Sequence, residues 1–238
     1  VNGITVLDLR TNQSQRIDSQ RDLYSQLSWA DEDGQQPALS VIRGHISEED
    51  DTTYVAVGFT GFGGSLTTTV VDASKLEGFP EGMQISPLRS PRWSDDRSSI
   101  FFGIAEHDED PNEDERPDVK PVAGTPGAMQ RPAPDLDEDD LPSLVLWHGN
   151  DPRLQSRQQV QERADERFNF LAAYHVDERR FVRLATEAMR NVTLAESQRY
   201  ALGYDDLSYQ LRDGIDGGRR QDVYAVDVKT GDAERILP

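Results

Sequence analysis

The chain contains no cysteine, and only three of its 238 residues are lysine. Without cysteine it forms no disulfide and offers neither a thiolate nucleophile nor a thiolate metal ligand. No apolar run approaches the roughly 20 residues that a membrane-spanning helix needs. The first ten residues lack the basic start and the apolar stretch of a signal peptide. They have the pattern of a β-strand, so we expect the natural protein to begin further upstream.

Basic side chains are also scarce, with 25 lysines and arginines against 44 acidic residues and a formal net charge of −19. Binding to nucleic acid requires clustered cations, so the composition predicts no nucleic-acid partner and no membrane insertion. An acidic, lysine-poor surface is typical of halophilic proteins, because a Debye length of about 3 Å in 1 M salt screens the self-repulsion. A GC-rich genome combined with one acidic loop would give the same composition.

Two tryptophans occupy equivalent places in a repeated pattern. "LSWADEDGQQPALSVI" contains Trp29, and "PRWSDDRSSIFFGI" contains Trp93. In both, tryptophan is followed by an acidic turn and then by an apolar run with the composition of a β-strand. A weaker third copy, "VTLAESQRYALGY", has Leu194 in the tryptophan position.

A second pattern repeats near the two ends of the chain. "DLRTNQSQRI" from Asp8 aligns without gaps on "DVKTGDAERI" from Asp227. Alternating apolar residues precede each aspartate, which predicts a half-buried strand. Asn12 and Gly231 share one position and tolerate the positive φ of a tight turn. The pair Val226-Asp227 recurs as Val71-Asp72 and Val176-Asp177. We expect each of these pairs to end the third strand of a repeated unit.

These patterns predict an all-β fold, a partial β-propeller of four-stranded antiparallel blades. The single domain 1–238 would contain the end of a blade at 1–20 and three full blades at 24–88, 89–187 and 188–238. A β-sandwich with similar hairpins is the alternative. The blade at 89–187 carries two insertions. Residues 106–142 form an acidic, proline-rich loop that we expect to be disordered. After a short strand, a helix is predicted at about 152–168, with Pro152 in its first turn.

The segments "WSDDRSSIFF" and "LVLWHGNDPRLQSRQQVQERADERFNFLAAYHVDERRFVRLA" resemble the prolyl oligopeptidase (S9) family of serine peptidases. The likeness is to the N-terminal propellers of bacterial dipeptidyl-peptidase and acylaminoacyl-peptidase-like members, and the tryptophan motif is shared with TolB-like and WD40-like propellers. The resemblance implies a hydrolase whose propeller gates peptide substrates, a downstream α/β-hydrolase domain of the same parent chain, and a periplasmic or secreted location. The Gly-x-Ser-x-Gly elbow of that domain is absent from these 238 residues. We therefore assign no catalytic residue and no cofactor.

One group of side chains has the composition of a binding site. Trp147, His148, Asp151 and Arg153 lie where the predicted strand meets the predicted helix. They are candidates for substrate binding, with Arg153 pairing with a substrate carboxylate or carbonyl. The alternative is that Trp147 packs between blades while the other three cap the helix.

Metal binding and carboxylate catalysis have weaker support. The spacing of His45, His107, His148 and His175 matches no metal motif, so we assign no metal ligand. Paired carboxylates such as Asp95 with Asp96 lie in predicted turns, which argues against a glycosidase.

Two functions remain. One is the gating segment of a serine peptidase, and the other is a TolB-like scaffold that binds proteins and has no attached enzyme. Since three and a half blades leave strand edges open, we expect the segment alone to be poorly soluble or oligomeric at low salt.

Overall fold

A computed structural model describes residues 2–30, 35–47, 52–106, 153, 160–161, 164–165 and 167–237. The predicted acidic loop lies outside the described residues except for Glu106, and so does the predicted strand at 143–151. Within the predicted helix at 152–168, described residues 160–161 and 164–165 are helical. No helix in the described part of the chain is long and apolar enough to cross a membrane.

The described strands form four antiparallel sheets, and the chain completes each sheet before it enters the next. The first sheet consists of β1 (Ile4–Asp8) and β2 (Gln13–Asp18). The second consists of β3 (Leu23–Ala30), β4 (Ala38–Ile46), β5 (Thr52–Thr60) and β6 (Thr67–Asp72). The third consists of β7 (Met83–Ile85), β8 (Arg92–Trp93), β9 (Ser99–Glu106), β10 (Phe170–His175) and β11 (Arg180–Arg183). The fourth consists of β12 (Asn191–Leu194), β13 (Tyr200–Asp205), β14 (Asp222–Asp227) and β15 (Ala233–Leu237).

Strand order within the sheets follows chain order, with one irregularity. β7 and β8 both pair with β9, and together they form the outer strand of the third sheet. This sheet therefore begins at Met83, before the boundary at 89 that we expected from the sequence. Besides the helical residues at 160–161 and 164–165, the described part of the chain contains a 3-10 helix at Ala73–Lys75 and an α-helix, α1, at Gln210–Asp216. Sequence analysis did not predict α1.

The tryptophan repeat is confirmed at the level of strand register. Trp29 on β3 pairs with Leu39, Trp93 on β8 pairs with Ile100, and Leu194 on β12 pairs with Ala201. In each sheet this position lies on the first strand, opposite the beginning of the second. The burial of the two tryptophans differs, because Trp93 is 4% exposed while Trp29 is 48% exposed and contacts Phe62.

The repeated hairpin is confirmed at both ends of the chain. Asp8 accepts hydrogen bonds from the backbone amides of the second and third residues after it, and Asp227 does the same. Asn12 and Gly231 both have positive φ, 54° and 81°. The expectation for Asp72 was wrong, because it ends the fourth strand of its sheet, β6, and caps the 3-10 helix.

Two further details of the Val-Asp pattern differ from the sequence analysis. Asp177 lies in the turn after β10, which ends at His175. The strand predicted before Asp8 is present, but its expected apolar face is open, since Leu7 is 50% exposed and Leu9 is 88% exposed. Ile4 is the buried residue of β1 and packs against the second sheet.

Side chains between neighbouring sheets form the core. The central strands β4, β9 and β10 are buried along nearly their whole length. One apolar cluster joins residues of the second, third and fourth sheets, and a smaller one joins Ile4 to the second sheet. Trp93 donates a hydrogen bond to the Leu39 carbonyl at 3.1 Å, and Ser40 donates one to the Pro91 carbonyl at 2.7 Å. The second and third sheets are therefore joined by both packing and hydrogen bonds.

Candidate functional site

Antiparallel pairing determines where long connections leave the sheets. In the second, third and fourth sheets, the second and third strands are joined at the same end of the sheet. The connection is short in the second sheet (47–51) and long in the third (107–169) and fourth (206–221). We call this end the insertion end. The opposite end, where short turns join the other strands, is the turn end.

The two long connections line one cavity at the insertion end, which we call the insertion pocket. Its volume is about 380 Å³. Its walls come from described parts of the segment 153–168, from the start of β12, and from the connection that contains α1. The charged residues among its described lining are Arg153, Asp165, Arg190, Asp206, Asp213, Arg219 and Arg220.

Two arginines of the insertion pocket share one carboxylate. The Nη1 atom of Arg153 lies 2.7 Å from one Asp165 oxygen, and the Nη1 atom of Arg190 lies 3.4 Å from the other. The guanidinium of Arg190 also stacks on the Phe168 ring, 3.8 Å from its centroid. Because Arg153 also donates to Gln161 at 3.1 Å, this wall is held in place by contacts among side chains.

The opposite wall is organised around a buried carboxylate. Asp213 on α1 is 7% exposed and accepts hydrogen bonds from the backbone amide and the guanidinium of Arg220. α1 ends at Asp216 and is capped by Gly217, whose φ of 72° suits glycine. A Cβ at Gly218 would lie 2.7 Å from Asp213, so the second glycine makes room for the carboxylate. The sequence signal for this short helix was the glycine pair at its end.

Arg219 differs from the other arginines of the insertion pocket. It is exposed, and no hydrogen bond or ion pair joins it to any described residue. The described lining contains four arginines and three aspartates, on a chain whose acidic residues otherwise greatly outnumber the basic ones. Among the described lining residues, arginines therefore outnumber aspartates by one.

Of the four residues predicted for substrate binding, the structure places only Arg153. It lines the insertion pocket, 24% exposed, against Asp165. Trp147, His148 and Asp151 lie outside the described residues, so their role in binding stays a prediction. Sequence analysis missed Arg190 and Arg219, which come from separate loops that only the fold brings to one pocket.

A second cavity of about 380 Å³ lies at the turn end, between the third and fourth sheets. His175 crosses this boundary, with Nδ1 2.8 Å from the Ser99 hydroxyl and Nε2 3.1 Å from the Val228 carbonyl. Burial lowers the pKa of His175, so the neutral ring accepts from Ser99 and donates to the carbonyl. Gln198 adds a second link, because it exchanges two hydrogen bonds with Asp95.

The Ser99–His175 pair does not have the form of a hydrolase dyad. In serine hydrolases a carboxylate orients the histidine, whereas here a backbone carbonyl accepts from the second nitrogen. Ser99 is also only 4% exposed. The neighbouring Asp96 accepts hydrogen bonds from Ser94 and Ser98. Within the described ranges, no group of three or more His, Asp or Glu side chains could hold a metal ion.

Comparison with known proteins finds no family model and no curated protein that matches this chain. Arguments about function therefore depend on the geometry described above.

Proposed function

We propose that this chain is a non-catalytic β-propeller segment of a serine peptidase resembling the prolyl oligopeptidase family. Its role would be to gate and orient peptide substrates for a downstream α/β-hydrolase domain of the same parent chain. The observation that carries this proposal is the equivalent register of Trp29, Trp93 and Leu194 on the first strands of three successive sheets.

Strand order favours propeller blades over a β-sandwich. The second and fourth sheets are four-stranded meanders, and the third has the same order with its outer strand divided between β7 and β8. A sandwich has two sheets, and its chain crosses between them through Greek-key connections. A propeller blade is a four-stranded meander that packs face to face against the next blade. The apolar cluster shared by three successive sheets agrees with blade packing.

The insertion end supports a role in handling substrates. Blades of a propeller expose their connections at two ends, and loops on a rigid scaffold are common positions for binding residues. Here the two longest connections line a single pocket, and its described lining contains four arginines and three aspartates. Peptides carry carboxylates, carbonyls and backbone amides that such a pocket can bind.

A protein-binding scaffold without an attached enzyme is the competing function, since the fold alone serves both. Exposed apolar side chains such as Leu9 in the β1–β2 turn agree with a surface that contacts other proteins. The two functions differ in one respect. The peptidase requires a serine nucleophile elsewhere in the parent chain, and the scaffold requires none.

A fluorophosphonate probe, which reacts covalently with activated serines, separates the two functions. The complete gene product and the isolated 238-residue chain are treated in parallel, and the labelled peptide is identified by mass spectrometry. We expect labelling of the gene product at a serine beyond residue 238 and no labelling of the isolated chain. Labelling within residues 1–238 would contradict the non-catalytic assignment. An unlabelled gene product would contradict the peptidase and leave the scaffold.

A further inference from the structure

We infer that the open edge of β12 binds an extended peptide as an additional β-strand, with an acidic side chain of the peptide at Arg89 and Arg92. The choice of a peptide rests on the proposed function, whereas the open edge and the cavity beside it are features of the described residues. When a peptide adds a strand to a sheet edge, backbone hydrogen bonds give affinity and side-chain pockets give specificity.

The first argument is the direction of the backbone groups of β12. Among the described strands, β12 pairs with β13 alone. The Ala195 amide donates to the Tyr200 carbonyl at 3.0 Å, and hydrogen-bonded and non-hydrogen-bonded pairs alternate along an antiparallel ladder. Thr193 therefore directs its amide and carbonyl towards β13, whereas Val192 and Leu194 direct theirs towards the open edge. No described residue hydrogen-bonds to these outward groups, so they are available to an added strand.

The second argument is the regularity of β12 compared with the other first strands. β12 keeps a continuous register with β13 from Asn191 to Leu194. β3 has a bulge between Ser25 and Ser28, where Gln26 has a φ of 56°, and the outer strand of the third sheet is divided between β7 and β8. Bulges and very short strands hinder the pairing of a sheet edge with another chain. Of the three first strands, β12 therefore has the edge best suited to strand addition.

A cavity beside β12 provides space for side chains of the added strand. Its volume is about 270 Å³, and three consecutive β12 residues line it, Val192, Thr193 and Leu194. Successive side chains of a strand point to opposite faces, so a cavity that contacts all three lies along the edge of the strand. Phe101 and Leu171 of the third sheet form its apolar wall. Pockets for drug-sized ligands have volumes of about 300–1,000 Å³, so this smaller cavity suits individual side chains of a peptide.

Two arginines of the cavity give it specificity for an acidic side chain. Arg89 and Arg92 both line it. Arg89 donates hydrogen bonds to the side-chain and backbone oxygens of Asn169, and the Arg92 guanidinium lies 6.0 Å from the centroid of the Phe101 ring. These partners are uncharged, and no ion pair joins either arginine to a described residue. Burial and the charge of Arg92 lower the pKa of Arg89, so a carboxylate placed beside it would stabilise its charged form.

Amide hydrogen exchange, resolved by residue with NMR, tests whether the edge of β12 is open. In the free chain we expect the Val192 and Leu194 amides to exchange faster than the Thr193 amide, which β13 holds. Acetyl-Val-Glu-Val-amide at ten times its Kd leaves about one-eleventh of the chain unbound, so exchange at Val192 and Leu194 should slow about tenfold. Trp29, at the equivalent register position of β3, is the control, and its amide should change less than about twofold.

Two results of this experiment would overturn the inference. If the Val192 and Leu194 amides of the free chain are as protected as the Thr193 amide, the edge is not open. If the bound peptide leaves both amides unprotected, or protects Trp29 equally, the peptide does not add a strand to β12.

Isothermal titration calorimetry separates backbone pairing from recognition of the acidic side chain. The probes are the glutamate peptide, acetyl-Val-Gln-Val-amide, and the glutamate peptide with N-methylated backbone amides. A charged hydrogen bond contributes about 1.5–3 kcal/mol, and 1.4 kcal/mol corresponds to tenfold in affinity. We expect the glutamine peptide to bind about tenfold more weakly than the glutamate peptide, and the N-methylated peptide at least about tenfold more weakly. Equal affinity of the glutamine peptide would overturn the acidic specificity, and equal affinity of the N-methylated peptide would overturn strand addition.

The matched variants are Arg92→Gln and Arg10→Gln, which remove the same charge. Both side chains are exposed, but Arg10 lies in the turn between β1 and β2. Arg92→Gln should weaken the glutamate peptide about tenfold and change the glutamine peptide by less than about twofold. Equal weakening by Arg10→Gln would show that general electrostatic attraction binds the peptide. These measurements do not involve a serine nucleophile, so failure of this inference is distinguishable from failure of the proposed peptidase function.

Discussion

Replacement of Trp93 by alanine should destabilise the protein far more than replacement of Trp29, although the two residues occupy equivalent positions in the repeat. Truncation of a buried tryptophan costs about 3–5 kcal/mol, and Trp93 is 4% exposed. The variant also removes the donor to the Leu39 carbonyl. Trp29 is 48% exposed and pairs with Phe62, and such an aromatic pair contributes about 0.5–1.5 kcal/mol beyond burial. We expect Trp29→Ala to cost roughly 1–2 kcal/mol.

A double-mutant cycle with Gly58 tests whether Trp93 acts through the contact between sheets. Gly58 lies on β5, and a Cβ there would lie 2.8 Å from Cε2 of Trp93 and 2.7 Å from Cδ1 of Ile100. Gly58→Ala should therefore cost about 1–3 kcal/mol in the wild-type chain, as overpacking does. In the Trp93→Ala background the clash with the indole is removed and only the contact with Ile100 remains, so the cost should fall by at least about 1 kcal/mol.

The assays are urea unfolding and thermal unfolding, both followed by far-UV circular dichroism, which does not depend on the tryptophan that is removed. For a chain of this size 1 kcal/mol corresponds to about 2–4 °C in Tm. Trp93→Ala should then lower Tm by roughly 6–20 °C. Any effect of Gly58→Ala on the unfolded chain is common to both backgrounds and cancels in the cycle. Equal costs for the two tryptophan variants, or additive costs for Gly58→Ala and Trp93→Ala, would refute the reasoning.

Three other predictions concern pH, salt and the α1 connection. Burial lowers the pKa of His175 from the ordinary 6.5, so the unfolded chain binds that proton more tightly. Stability present above pH 6.5 is therefore lost as pH falls towards the lowered value. In His175→Gln, urea titrations between about pH 7.5 and 5 should show a weaker pH dependence, and an unchanged slope would contradict this. Because the net charge is −19, raising KCl from about 0.1 to 1 M should screen the self-repulsion and stabilise the chain. A monodisperse monomer that unfolds cooperatively at low salt would contradict the separate expectation that open sheet edges cause oligomerisation. Asp213→Asn should accelerate amide hydrogen exchange in α1, because the buried Asp213 carboxylate holds Arg220. The matched variant Asp216→Asn changes an exposed residue and should have no such effect, so equal acceleration by the two variants would contradict this role of Asp213.

Local sequence patterns were sufficient for the strands and their repeats. The tight turns could be recognised because Asn12 and Gly231 must adopt positive φ, which few residues tolerate. The first strands could be aligned because each tryptophan or its leucine counterpart precedes an acidic turn. These signals lie within a dozen residues of one another, so they do not depend on tertiary structure.

Features that depend on tertiary structure could not be obtained in this way. Val71-Asp72 and Val226-Asp227 contain the same two residues. Val226-Asp227 ends the third strand of its sheet, whereas Val71-Asp72 ends the fourth strand of its sheet, because there the third strand is β5, which lacks the motif. The exposure of Leu7 and Leu9 depends on which sheet covers β1, and alternation cannot specify that.

The candidate site depends even more strongly on the fold. Arg190 follows β11, and Arg219 follows α1, so no local spacing relates them. Seven-residue α1 was missed because a helix of two turns has too few apolar positions for a periodic signal. Arg153 could be named from sequence because it lies in the polar segment at the start of the predicted helix. Its partner Asp165 became apparent only from the structure.

The structure of the complete gene product, determined by crystallography or electron cryomicroscopy, tests the central claim most directly. The account predicts that the sheets described here are neighbouring blades around a common axis. Further four-stranded blades would complete the ring, and an α/β-hydrolase domain with a Gly-x-Ser-x-Gly elbow would cover one of its ends. A structure in which these sheets close on one another as a sandwich, or in which the ring is present without a hydrolase domain, would contradict the account.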